Sequence, residues 1–193
     1  MLFNTLDIRE VFGKIRSMNL DEKHDELLRP PQPGLFLGNK ILFIGQNPGY
    51  PRPAENPSDR ILLDENSTDF QFHEAYKQSQ LNWKFYKKFI NPIIGDSMDF
   101  SITNVCFFPT KDNQSPSDEA ITACEKNLLE LVDIISPEII ICCGNMAKQI
   151  ILQHKLKEKY KIIFAQHYSY LLRTGNIISA IEDIKEEIKN YGI

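Results

Sequence analysis

Three short stretches put polar side chains at or near the end of an apolar run, and each could do chemistry. In GQNPG, Gly45 to Gly49, Asn47 sits on a stiff turn between Gly45 and Pro48, with Gln46 and backbone amides beside it. A carboxamide there can hold a water or a polar ligand but cannot take up a proton. In FSITNVCFF, Asn104 offers a donor and an acceptor in one plane, the geometry for bidentate pairing with the edge of a base or another amide-like ligand. A strand asparagine also commonly serves a turn, so the residue alone leaves both readings open. In AQHYSYLLR, His167 follows an apolar run and could donate a hydrogen bond to developing negative charge, although a lone histidine is as readily structural.

The elements that must position these side chains follow from periodicity. KILFIG, FSITNVCFF, EIIICCG and KIIFAQ read as four strands, EIIICCG buried on both faces as in a parallel sheet. EAITACEKNLLELVDII puts Ile121, Cys124, Leu128, Leu131 and Ile135 on one side of a helix that starts at Ser117 or Ser115 and stops at Pro137. NMAKQIILQHKLK and NIISAIEDIKEEIKNYG read as further helices. Residues 4 to 28 form one or two helices, and Pro30, Pro31 and Pro33 make a connector that cannot continue them. Tyr50 to Thr68 reads as a long surface loop, followed by aromatic helical segments in which Phe85, Tyr86 and Phe89 share a face. Those aromatics read as packing against a sheet, with base stacking as the alternative.

This order predicts an α/β chain with a three-layer α/β/α architecture and a central, mostly parallel four-stranded sheet, where ligands bind beyond the carboxyl ends of the strands. The 193 residues, 42% of them hydrophobic, suit a single domain whose first 38 residues are a helical segment and connector. No apolar run reaches the roughly 18 residues of a membrane span, and the acidic N-terminus is unlike a secretory signal, so a cytoplasmic protein with no membrane partner is expected. Cys106, Cys124, Cys142 and Cys143 lack CxxC spacing and read as reduced core thiols rather than metal ligands. A net charge of −4 gives no global attraction to nucleic acid, leaving any such contact to a local patch or backbone amides.

In combination and in this order, the motifs resemble the uracil-DNA glycosylase superfamily. GQNPG resembles its first motif in the asparagine form of the mismatch-specific and single-strand-selective types. The block from Ile102 to Ile151 is similar to the centre of the iron–sulfur bacterial and archaeal type, and AQHYSYLLR is similar to the final motif. The likeness spans Lys40 to Arg173 and is loose between Tyr50 and Phe100. The chain departs from the iron–sulfur type in lacking an N-terminal CxxC, so no cluster, cofactor or metal is expected. It departs again at Tyr168, where the family usually carries proline.

The resemblance implies a monofunctional glycosylase of base excision repair that flips uracil, or a related deaminated base, from single- or double-stranded DNA and hydrolyses its N-glycosidic bond. Asn47 would hold the water and His167 would stabilise the departing anion. Asn104 would read the base, with Gln46 nearby and Tyr50, Phe107 or Phe108 as the aromatic floor. Ser169, Tyr170, Leu171, Leu172 and Arg173 would contact DNA, the apolar ones filling the gap left by the base. A monomer is expected. One rival is a relative of little or no activity that binds nucleic acid or protein. Another is a flavodoxin-like nucleotide binder, weakened because GQNPG is neither GxGxxG nor GxxxxGK[ST].

Overall fold

The computed structural model describes residues 6–19, 30–49, 57–62, 64, 66–97, 99–111 and 114–192. One sheet holds β1 (Leu35–Phe36), β2 (Ile41–Gly45), β3 (Phe100–Asn104), β4 (Ile139–Cys143) and β5 (Lys161–Ala165), in the order β1-β3-β2-β4-β5. β2 to β5 are parallel and are the four strands expected from the sequence. Every residue of β2, β3 and β4 is buried, as unbroken apolar runs in a sheet covered on both faces should be.

The fifth strand is an addition. β1 pairs antiparallel with β3, Leu35 opposite Ile102 and Phe36 opposite Ser101, and covers what would be an open edge. Two residues carry no readable period, so the sequence showed only a connector. That connector is tied down: Gln32 N–H donates to the Phe107 carbonyl at 2.7 Å, and Thr103 Oγ1 donates to the Pro33 carbonyl at 2.7 Å.

The helices are α1 (Leu6–Arg16), α2 (Pro57–Leu62), α3 (Asp69–Asn82), α4 (Asn91–Ile94), α5 (Asp118–Ile135), α6 (Asn145–Gln153), α7 (Tyr168–Thr174) and α8 (Ile177–Asn190). They flank the sheet to give the three-layer α/β/α form, with α1 against α3 and α5, α6 against β2 and β4, and α8 against α4, α7 and β5. α5 settles the open choice of start: Ser117 Oγ accepts from the Ala120 N–H at 3.3 Å, and all five residues expected on its apolar face are buried. Among the described residues no helix is long and apolar enough to cross a membrane.

Two expectations need correction. The stretch read as a long loop contains α2, which opens on Pro57, where a missing N–H costs nothing, and buries Leu62 completely. In the aromatic segments after it, Phe85, Tyr86 and Phe89 do not share one face. α3 ends at Trp83, whose ψ of 152° is extended, and the chain restarts through a π-wound turn, Tyr86 to Ile90, that runs into α4. Phe85 and Phe89 stack at 5.7 Å while Tyr86 turns to stack on Phe100 at 5.9 Å, so the expected common face is split.

Candidate active site

In the order β3-β2-β4-β5 the chain leaves β2 toward one side and β4 toward the other, which opens a crevice above their carboxyl ends. A cavity of about 420 Å³ lies there, walled by the loop after β2, the ends of β3, β4 and β5, and one side of α3. Gln46, Asn47, Asn104, His167 and Ser169 all border it, so the sequence motifs converge.

Asn104 is the last residue of β3 and 6% exposed. Its side chain lies over Gly45 on the neighbouring strand, so close that a Cβ there would sit 2.6 Å from Asn104 Oδ1. The first glycine of GQNPG is therefore the space that the asparagine occupies. From α3, the Tyr76 hydroxyl hydrogen-bonds the Asn104 side chain; burial pushes the phenol well above its ordinary pKa, so it stays protonated.

Asn47 is held by its amino end. Nδ2 donates to Thr110 Oγ1 at 2.9 Å and more weakly to the Pro48 carbonyl at 3.4 Å, while Thr110 Oγ1 donates to the Gln114 carbonyl at 2.6 Å. Among the described residues no donor meets Oδ1, which leaves the carbonyl end of the amide as an acceptor. Gln46 Nε2 donates to Ser115 Oγ at 3.2 Å, a second tie between the GQNPG turn and the loop before α5.

His167 precedes α7 with extended backbone (φ −60°, ψ 131°), and its Nδ1 lies 2.7 Å from Ser169 Oγ. Burial lowers its pKa below the ordinary 6.5, so the ring is neutral near pH 7. The hydroxyl can donate to Nδ1 or accept from it; in the tautomer where it donates, the proton of the neutral ring resides on Nε2. Tyr168 takes the first helical position of α7, the position that also suits proline, so the departure from the family pattern fits the same backbone. Its ring packs on Phe85 at 4.8 Å between centroids and beside His167 at 5.2 Å.

The remaining expected residues are placed differently. Phe107 and Phe108 are fully buried in the core and do not border the cavity; beyond Asn104 the chain runs on beside the GQNPG turn, the Val105 and Cys106 N–H groups donating to the Gly45 and Gln46 carbonyls at 2.9 Å. Tyr50 lies outside the described residues. The final motif is the seven-residue helix α7 rather than an open loop: Leu171 is 2% exposed and packs inward, Leu172 is half-buried, and Tyr170 stands 44% exposed with the Arg173 guanidinium over its ring at 5.6 Å.

The sequence reading missed the α3 wall: Tyr76, Gln80, Trp83 and Phe85 all border the cavity. Trp83 closes over the turn, its ring atoms 3.0 and 3.1 Å from where a Cβ on Gly49 would be, which gives the second glycine of GQNPG its reason. The available signal was the four-residue spacing of Tyr76 and Gln80, which puts their polar groups on one side of the helix. The four cysteines are buried thiols outside any disulfide, Cys124 Sγ accepting from the Phe107 N–H at 3.4 Å. Among the described residues no three His, Cys, Asp or Glu side chains are grouped to hold a metal ion.

The family model of the uracil DNA glycosylase superfamily matches residues 35–187, which includes every strand and every residue of the cavity wall described above. No curated protein matches the chain.

Proposed function

The chain belongs to the uracil DNA glycosylase superfamily, and from that premise we propose that it is a monofunctional DNA glycosylase that takes uracil, or a related deaminated base, out of the helix and hydrolyses its N-glycosidic bond. The observation that carries this reading is the convergence of the Asn104 amide, the neutral His167 and the Asn47 carbonyl on one cavity at the strand ends. Membership supports a glycosylase-type hydrolase in general; the preference for uracil rests on the residue chemistry.

Asn104 donates to uracil O4 and accepts from N3–H, while cytosine presents the opposite pattern at both positions. Because Tyr76 fixes the amide, the wrong base leaves buried polar groups unpaired. As the bond breaks, positive charge develops on the sugar and negative charge on the base. His167 Nε2–H meets the charge at O2, a donor worth about 3 kcal/mol, and Ser169 keeps the proton on that nitrogen. A water held on Asn47 Oδ1 attacks the sugar carbon. The amide orients this water without taking its proton, which suits a reaction in which bond breaking runs ahead of attack.

DNA is the expected partner, with Ser169 at the cavity and Tyr170 and Arg173 exposed on the same short helix, while Leu172 lines a separate groove beside α4 and α8. Tyr170 is the exposed residue suited to fill the place of the extruded base. The test is incubation with single- and double-stranded oligonucleotides carrying uracil, hypoxanthine or xanthine, followed by alkali. Strand scission at the modified position is expected; intact strands with every base and both strand forms would overturn the enzymatic reading.

A further inference from the structure

α3 brings a second carboxamide to the cavity that the mechanism above does not use. Gln80 borders the cavity, is 2% exposed, and its Nε2 has no hydrogen-bond partner. The other polar groups nearby are satisfied: Tyr76, one turn earlier, bonds Asn104, and Gln46 on the facing turn bonds Ser115. A buried donor left unpaired destabilises the fold, and an apolar side chain of the same length would avoid that cost. Nε2 is shielded from the cavity that Gln80 borders, so a turn of the amide brings it to its partner in what enters.

We infer that Gln80 is a base-reading residue, its Nε2 donating to the ring carbonyl farthest from the glycosidic bond and so selecting keto bases over their amino parents. The inference rests on the glycosylase reading and deepens it. A carbonyl oxygen has two lone pairs, so O4 of uracil accepts from Asn104 and Gln80 together. The two amides do not compete, because part of Asn104's capacity is taken by Tyr76. The exocyclic amino group of cytosine or adenine would instead point N–H toward N–H, leaving both unpaired in a buried site.

Trp83, the chain's single tryptophan, borders the same cavity and reports binding without any catalysis. Wild type and Gln80→Met are titrated with free uracil and with 2-pyrimidinone, which lacks O4, following Trp83 fluorescence; excision of the two bases from single-stranded DNA is measured alongside. Wild type should prefer uracil, and Gln80→Met should lose about tenfold in uracil affinity and excision while changing less than about twofold toward 2-pyrimidinone. The variant should also melt at higher temperature than wild type, which separates a reading role from a structural one.

Equal uracil binding by wild type and Gln80→Met, or an equal loss toward both bases, overturns the inference. Uracil binding that depends on Gln80, with no excision from any oligonucleotide, sinks the enzymatic reading and leaves the base-reading role standing. Excision by wild type that Gln80→Met matches does the reverse.

Discussion

The two walls of the cavity are built on opposite plans. The strand-end wall carries Asn47, Asn104 and His167, each fixed by a partner: Thr110, Tyr76 and Ser169. The α3 wall carries Trp83 and Phe85, which present ring surface, and Gln80, which presents a donor without a partner. Under the proposed reading, Asn47 and His167 on the first wall act on charge that develops during reaction, Asn104 beside them reads the base, and the second wall completes that recognition. Substitutions at Asn47 and His167 should fall mainly on kcat, and those at Asn104 and on the second wall on KM and base choice.

The sharpest way to break that contrast is at His167. His167→Ala should cut kcat at least a hundredfold with KM little changed, by the usual worth of a donor to developing negative charge. A loss confined to KM would move His167 to the recognition side. The same residue gives the pH dependence. Burial places its folded pKa below the ordinary 6.5, so the neutral, donating-and-oriented ring predominates above that value. Activity should be full near pH 7 and fall as acid takes the pH through the lowered pKa, because protonation breaks the acceptance of the Ser169 hydroxyl by Nδ1.

Stability follows the same sign. The unfolded chain binds this proton more readily than the folded one, so the fold weakens as pH falls below 6.5 until the folded pKa is passed. His73, buried and also lowered by desolvation, adds a loss of the same sign. His167→Ala should therefore remove the acid limb of activity while leaving part of the acid sensitivity of the melting temperature. Rate profiles and thermal melts over the same pH range check both.

Next in size is Asn104→Ala, which removes two contacts to the base and should lower kcat/KM on uracil by about tenfold to a hundredfold while narrowing discrimination against cytosine. Gly45→Ala should reproduce much of this loss without touching Asn104, since the new Cβ would lie 2.6 Å from Asn104 Oδ1. On the facing wall, Trp83→Ala should raise KM by about tenfold, with kcat changed less, as expected for a lost stacking surface. Oligonucleotide kinetics with varied substrate concentration separate the two patterns.

How much of this was legible in the sequence also divides along the walls. Asn47 and His167 each follow an apolar strand that stops abruptly, and that contrast is local; Asn104 is followed by Val105 to Phe108 and stood out only beside the other two motifs. The parallel strands announced themselves in the same way. β1 did not, because two residues paired to a distant edge have no period, and α2 did not, because six residues among Pro, Asn and Asp look like loop. Gln80 and Trp83 were hidden for a different reason. The inward face of α3 mixes Phe72 and Ala75 with His73, Tyr76, Ser79 and Gln80, so no amphipathic pattern shows which side is buried, and only the break at Trp83 marks the change of surroundings. Phe107 and Phe108 err in the opposite direction: nearness in sequence to Asn104 suggested an aromatic floor, but both rings are buried in the core.

The smallest expected effect sits at the turn between the walls. Asn47→Asp supplies a carboxylate where the water is held, which should favour proton removal. The same exchange replaces the Nδ2 donor to Thr110 Oγ1 by an acceptor. Thr110 has one hydroxyl hydrogen and already gives it to the Gln114 carbonyl at 2.6 Å, so the carboxylate must either compete for that hydrogen or lie against an oxygen with none to offer. Gain in basicity and loss of anchoring oppose each other, and kcat should rise only about threefold, within the reach of one neutral hydrogen bond. Thr110→Val separates the two contributions. Alone, it should slow the reaction by loosening the water's holder; combined with Asn47→Asp, it should do no further harm, since no donor remains to be lost. If Thr110→Val slows both backgrounds equally, the loop before α5 is held by Thr110 for its own sake and Asn47 does not depend on it.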